Sequence, residues 1–258
     1  MAKLASAVVH LQDLPRPVVA FARDFKDGDR LESHSHPRAQ LVHTITGVMA
    51  VSTPDGTWTI PPQRALWVPP LVEHGIAMQG RVSMRTLYVT PEAAKGMPQR
   101  PQAIVVTPLL RELILRALEF PALYPESSPA PLIMRLALEE IRQSPAEPLS
   151  LPMPRHAGLL AFARAALADP SDRRDLPAWA EELGIGARTL ARRFRAETGM
   201  SPGAWRQQAR LLAAFGALAD GRSVTTVSLD LGYETPSAFI DAFRRAFGTT
   251  PGRYFEQR

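Results

Sequence analysis

Short apolar runs separated by turn residues fill residues 18–90. Three clear runs lie at 39–45, 48–52 and 57–60, and glycine or proline occurs in the turns around them. β-Branched residues recur in these runs, and such residues favour strands. Many short strands at regular spacing indicate an antiparallel sandwich or barrel, and we expect an antiparallel β-barrel here.

The pattern changes to a helical period over residues 107–144. Thr107 can cap a first helix that has Pro108 in its first turn, and a second helix begins near Pro131. The apolar faces of these helices would form either part of the core or a dimer contact. Their apolar positions are Leu109, Leu113, Leu118, Leu132, Leu136 and Leu138.

A proline-rich stretch without helical period follows at 145–154 and predicts a linker. The chain therefore divides into a β domain at 1–104, a helical pair with its linker at 105–154, and an all-helical domain at 155–258. The predicted fold class is α+β.

Two helix-turn-helix motifs are predicted in the last third, at 176–199 and 224–247. In each motif a first helix ends near a glycine, Gly184 or Gly232, and a second helix follows after a short turn. An uninterrupted helical pattern at 202–219 separates the motifs. A helix of about 18 residues is about 27 Å long, which is near the ~34 Å of one DNA turn.

Arginine lines one face of the second helix in the first motif. Arg188, Arg192 and Arg195 are spaced i, i+4 and i+7, whereas the apolar Leu190 and Phe194 fall on another side. A basic stripe is often only a solvated face. On the second helix of a helix-turn-helix it is typical of a helix that lies in the DNA major groove.

Long gapless motifs cover residues 156–258. They include GYETPSAF at 232–239, FRR at 243–245 and FGTTP at 247–251. This segment resembles the AraC/XylS family of transcription regulators. The resemblance implies that Arg188, Ala191 and Arg192 face bases in one groove, and that Ser237, Ala238 and Asp241 face the next. The candidate DNA-binding set also includes Thr189, Arg195, Arg244 and Arg245, and Asp241 would either accept from a cytosine or orient Arg244 or Arg245.

Four of the six histidines lie in one short window of the β domain, at His34, His36, His43 and His74. On a strand, His34 and His36 would share one face, because side chains alternate with a period of two. Imidazoles that converge inside a small barrel form a site for zinc, nickel, iron or copper. His43 would be a pocket residue or would support a ligand.

The residues around these histidines resemble the two motifs of the cupin barrel. The matching positions are Gly28, His34, His36, Gln40 and Gly47 for the first motif, and Pro69, Leu71 and His74 for part of the second. The resemblance implies that His34, His36, Gln40 and His74 hold one divalent transition metal. Gln40 stands where metal cupins have glutamate, and Leu71 stands where they have glycine.

The sequence is compatible with three interpretations of the histidines. They form a metal site, they line a metal-free effector pocket, or they are a structural remnant. The choice between them depends on whether the side chains converge and on what their nitrogen atoms face.

Composition narrows the class of protein. The net charge is +5, 27 of the 30 basic residues are arginine, and there is no cysteine, which excludes disulfides and thiolate metal sites. Residues 1–10 lack the apolar core of a signal peptide, and no apolar run is long enough for a membrane span. We therefore expect a cytoplasmic protein with no membrane partner.

These patterns predict a sequence-specific DNA-binding transcription regulator with a sensing domain, not an enzyme. The expected partners are a double-stranded DNA operator, a small-molecule or metal effector, a second copy in a homodimer, and RNA polymerase if the protein is an activator. The alternatives are a metal-dependent cupin enzyme fused to a DNA-binding module and a non-specific DNA binder. The modest net charge speaks against the non-specific binder.

Overall fold

The computed structural model describes residues 11–256, which form two compact units. The first unit comprises residues up to 54 together with 58–149, and the second comprises 55–57 and the residues from 150 onward. Residues 1–10, on which the signal-peptide prediction rests, lie outside this range. Within the described range, no helix combines the length and the hydropathy needed to cross a membrane.

Ten strands form two five-stranded sheets. Their bounds are β1 Val18–Phe25, β2 Arg30–His34, β3 Ala39–Thr44, β4 Val48–Thr53, β5 Gly56–Ile60, β6 Arg64–Val68, β7 His74–Gln79, β8 Val82–Val89, β9 Gln102–Val105 and β10 Ser150–Leu151. One sheet has the order β1-β8-β3-β6-β9, and the other has the order β10-β5-β4-β7-β2.

The predicted antiparallel β domain is present, but it is a two-sheet sandwich of jelly-roll type and not a closed barrel. A closed barrel needs hydrogen bonding around its whole circumference. In the described chain, pairing stops at β1 and β9 in one sheet and at β10 and β2 in the other. The edge strand β2 also loses its regular register between Leu31 and His34, which limits its pairing.

Two helices cover the outer face of the first sheet. They are α1 Pro108–Leu118 and α2 Ala130–Gln143. Leu41 and Trp67 of the sheet share a core cluster with Leu110 and Met134 of the helices. Strand β3 is therefore buried along its whole length, because its other face points into the sandwich.

The predicted start of α1 is confirmed, since the Thr107 hydroxyl accepts a hydrogen bond from the Leu110 amide at 3.1 Å. Only part of the predicted apolar faces belongs to the core. Leu113 and Leu138 are buried, but Leu109, Leu132 and Leu136 are 49%, 60% and 44% exposed, so core packing does not account for these three. Alanines and Met134 fill the contact instead, because small and flexible side chains let the helices approach the sheet closely.

The proline-rich segment at 145–154 contains strand β10. Leu149 and Leu151 on either side of Ser150 are buried. This segment is therefore partly buried, although its composition is typical of a linker.

The second unit is built from seven helices within the described residues. They are α3 Ala157–Ala168, α4 Leu176–Glu182, α5 Ala187–Thr198, α6 Pro202–Ala219, α7 Val224–Asp230, α8 Pro236–Phe247 and α9 Pro251–Glu256. Asp175 and Thr235 cap α4 and α8 as predicted, and Gly184 and Gly232 follow α4 and α7 with positive φ. Both helix-turn-helix motifs are thus present.

The long helix α6 contributes to two aromatic clusters, one in each motif. Near its start, the Trp205 ring lies 5.6 Å from that of Phe194 in α5. Further along, the Phe215 ring lies 5.6 Å from that of Phe243 in α8. Edge-to-face and stacked contacts of this kind stabilise packing. Helix α6 is therefore held at both ends, and α5 and α8 are supported by one rigid element.

Candidate functional sites: a histidine cluster and an arginine-lined helix surface

Three histidines meet at one end of the second sheet. His34 is the last residue of β2 and pairs with His74, the first residue of β7. His36 lies two residues beyond the strand end, so the prediction that His34 and His36 share a strand face is wrong. The side chains converge nevertheless, because the chain turns inward after β2 and buries His36.

The three imidazoles are close enough to share a ligand. The ring centroids are 4.5 Å apart for His34 and His74, 5.1 Å for His36 and His74, and 5.8 Å for His34 and His36. One nitrogen of each ring lies within 4.8 Å of the corresponding nitrogen of the others. His36 and His74 are buried, whereas His34 is half-exposed.

Backbone carbonyls fix the tautomer of each ring. The Nδ1 atoms of His34, His36 and His74 lie 2.8, 2.7 and 2.9 Å from the carbonyl oxygens of residues 32, 38 and 72. A carbonyl oxygen can only accept, so each Nδ1 carries the hydrogen and donates it. Each Nε2 then keeps a lone pair, which is the arrangement common to histidines that bind metals.

A chain of hydrogen bonds orients the Gln40 amide. The Thr86 hydroxyl donates its one hydrogen to the Leu41 carbonyl at 2.8 Å. At 3.0 Å from Gln40 it can therefore only accept, which places the amide nitrogen of Gln40 on the Thr86 side. The Gln40 oxygen consequently faces the Nε2 atoms of His36 and His74, each at 3.1 Å.

In this arrangement, three hydrogen-bond acceptors face one another in a buried position. They are the Nε2 atoms of His36 and His74 and the side-chain oxygen of Gln40, and none of them carries a hydrogen. Protonation would relieve this, but burial lowers the pKa of His36 and lowers that of His74 to about 4, helped by the charge of neighbouring histidines. A bound cation would satisfy all of these atoms, so the residues fit a divalent metal with three nitrogen ligands and one oxygen ligand.

The sequence patterns missed the residues that support this cluster. Thr86 and Tyr88 lie on the same face of β8, and the Tyr88 hydroxyl lies 3.3 Å from the Gln40 nitrogen. Their signal was available, since two hydroxyl residues at i and i+2 alternate with Leu87 and Val89 at the end of the strand. Arg38 was also missed. It is buried, and it donates to the carbonyls of residues 12, 14 and 16.

Leu71, which stands where the cupin motif has glycine, adopts a left-handed backbone conformation. Its φ is 63°, its side chain is 71% exposed, and its amide donates to the His36 carbonyl at 2.9 Å. A leucine in this region is strained. The hydrogen bond fixes the backbone beside His36 in spite of that strain.

His43 does not belong to the cluster. It lies three residues from Gln40 and so points to the opposite face of β3. Its Nδ1 donates to the Arg64 carbonyl at 2.8 Å, and its Nε2 is buried without a hydrogen-bond partner. Burial, and after it Arg111 and Arg85, lowers the pKa of His43 to about 4. The expectation of a pocket or ligand-supporting role is therefore wrong.

The arginine stripe predicted on the first helix-turn-helix is exposed. Arg188, Arg192 and Arg195 project from α5, while Thr189 and Ala191 between them are half-buried. Leu190 and Phe194 are buried on the other side.

The candidate residues of the second motif are also on the surface. Ser237, Ala238, Asp241, Arg244 and Arg245 are all exposed on α8. Asp241 forms an ion pair with Arg244 at 2.8 Å, so it orients Arg244 in this structure. A carboxylate in that position limits the directions from which Arg244 can reach a ligand.

Comparison with known proteins matches two different families to the two ends of the chain. The family described as AraC-like ligand binding domain matches residues 17–150, and the family described as helix-turn-helix domain matches residues 179–257. The HTH-type transcriptional regulator NimR of Escherichia coli is 31% identical over 221 residues, which cover 86% of this chain and 81% of NimR.

Two further similarities are more limited. The HTH-type transcriptional regulator RipA of Corynebacterium glutamicum is 34% identical over 133 residues, which cover 52% of this chain and 38% of RipA. The crystal structure of ToxT from Vibrio cholerae aligns over 93% of this chain and 97% of its own, at 9% identity and a TM-score of 0.40, a similarity too low to support an argument.

Proposed function

Because the chain belongs to the AraC family of transcriptional regulators, with an N-terminal ligand-binding domain and a C-terminal helix-turn-helix domain, we propose that it recognises a specific DNA operator through α5 and α8. The observation that carries this proposal is the exposed stripe of Arg188, Arg192 and Arg195 on the second helix of the first motif. The relatives NimR and RipA are transcriptional regulators, which favours this function over a metal-dependent cupin enzyme. A DNA target implies a cytoplasmic location, and an activator would also contact RNA polymerase.

The test is to recover fragments of genomic DNA with the purified chain and to footprint the enriched sequence. Two adjacent protected segments about one helical turn apart are expected, because α6 supports both second helices. Fragments that share no sequence, or one protected segment alone, would overturn the proposal for two reading helices.

The ligand-binding domain senses a divalent transition metal, or an effector held by one, in the pocket of His34, His36, Gln40 and His74. The opposed lone pairs of Gln40, His36 and His74 support this over a metal-free pocket. Elemental analysis after loading with zinc and desalting should find about one metal per chain. His36→Ala and His74→Ala should lose it, and the exposed His156→Ala should keep it. Metal retained by both pocket variants would exclude these ligands.

A second copy of the chain covers the outer stripe of α2, which consists of Leu132, Arg135, Leu136 and Glu139. All four residues are exposed and recur at helical spacing. In a twofold antiparallel contact, Arg135 of each copy would face Glu139 of the other, with the leucines between them. This charge pattern supports a homodimer over a contact with an unrelated partner.

A further inference from the structure

The donor atoms of the pocket carry no charge. Three imidazoles and one amide oxygen would surround the metal, and among residues 11–256 the group of side chains able to hold a metal contains no carboxylate. The nearby Arg38 is buried, donates to the carbonyl oxygens of residues 12, 14 and 16, and adds a positive charge beside the pocket.

A divalent cation among neutral ligands keeps its full double charge. His36 and His74 are 6% and 1% exposed, so most of the surroundings of the ion would be protein and not water. An uncompensated charge in such a place is costly, and it strongly favours a ligand of opposite sign. A carboxylate at position 40 would remove half of that charge, and Gln40 removes none.

The cluster reaches the surface at His34, which is half-exposed, next to the exposed Ser33 that donates to the Glu73 carboxylate at 2.9 Å. Four protein ligands leave room for a further ligand when the metal expands its coordination. A small molecule would therefore reach the metal from the His34 side.

We infer that the effector of this pocket is a small anion that coordinates the metal, and that Gln40 creates the requirement for the negative charge. The inference rests on the proposed metal site and goes beyond it, because a metal-binding pocket with a carboxylate at position 40 would not select anions in this way.

The probe is the full chain loaded with Co²⁺, whose visible absorption changes when a ligand binds. Azide serves as the small anion and imidazole as a neutral nitrogen ligand. In the wild-type protein, azide should change the spectrum in a saturable way, with an affinity about tenfold or more above that of imidazole. Gln40→Glu should bind Co²⁺ more tightly and azide about tenfold more weakly, whereas the exposed Gln79→Glu should behave as wild type.

The wild-type comparison stands even if Gln40→Glu does not fold. Co²⁺ bound with no response to azide, or with equal affinity for azide and imidazole, would overturn the anion inference and leave the metal site intact. Failure to bind Co²⁺ at all would overturn both. The DNA footprint tests the regulator function separately, since it needs no metal.

Discussion

Arg192 occupies the middle of the arginine stripe on α5. Its substitution by alanine should weaken operator binding by about 1–3 kcal/mol and relax the base preference at one position, because a guanidinium reads a guanine with two hydrogen bonds. Affinities for the operator and for single-base variants measure both effects.

Arg193 provides the matched control. It is exposed on the same helix, but it projects about 100° away from Arg192. Arg193→Ala removes the same charge from another face, so its loss of affinity should be smaller and equal for all sequences. Equal effects of the two substitutions would show that the helix contributes charge and no base readout.

His43 gives the first unit a sensitivity to acid. Its pKa is about 4 in the folded protein and near 6.5 in the unfolded chain, so the unfolded chain binds more protons between these values. Stability is therefore complete above about pH 6.5 and falls as the pH approaches 4. From pH 7 to pH 5, His43 should remove about 2 kcal/mol from the free energy of unfolding.

Urea unfolding at both pH values, in wild type and His43→Gln, measures this contribution. The variant should lose less stability on acidification than wild type, by the same ~2 kcal/mol. Exposed His156→Gln is the control. A variant with the full wild-type pH dependence would show that His43 is not the group that titrates.

Among the helices, local sequence signals predicted the helix starts and both helix-turn-helix motifs. The caps at Thr107, Asp175 and Thr235 could be identified from the sequence because a cap needs only a side-chain oxygen and an amide three residues away. The two helix-turn-helix motifs followed from such signals together with Gly184 and Gly232.

Contacts between distant segments could not be predicted in the same way. The outward direction of Leu132 and Leu136 depends on the sheet on which α2 packs, and helical period alone leaves a choice of faces. Two hydrogen bonds link Thr86 to the Leu41 carbonyl and to the Gln40 side chain. Their partners are separated by 45 and 46 positions in the sequence. The histidines and Gln40 could be identified from the sequence. The orientation of the Gln40 amide could not, because it depends on Thr86 in the neighbouring strand.

The proposed homodimer contact through the outer stripe of α2 can be tested by substitution. Leu132→Ser combined with Leu136→Ser should convert a dimer to a monomer and leave the unfolding free energy of the monomer nearly unchanged, because both side chains are exposed in the single chain. Light scattering after size exclusion measures the mass. Leu123→Ser, at a 53% exposed leucine outside both helices, should stay dimeric. A double variant that remains a dimer would show that the dimer contact lies on another surface.

At the scale of the whole molecule, the sensing and reading functions lie in separate units of one chain. If an anion on the metal changes the affinity for the operator, the operator must change the affinity for the anion by the same factor. The net charge of +5 is modest for a protein that binds DNA. Non-specific attraction to phosphates should therefore be weak, and base contacts should supply most of the preference for the operator.

The most direct test is the ratio of two dissociation constants at physiological salt, one for the enriched operator and one for DNA of the same length and composition with its sequence shuffled. A sequence-specific regulator should bind the operator about 10³-fold more tightly or better. Equal dissociation constants for the two DNAs would contradict sequence-specific recognition, because the arginine stripe would then be a surface for phosphates alone.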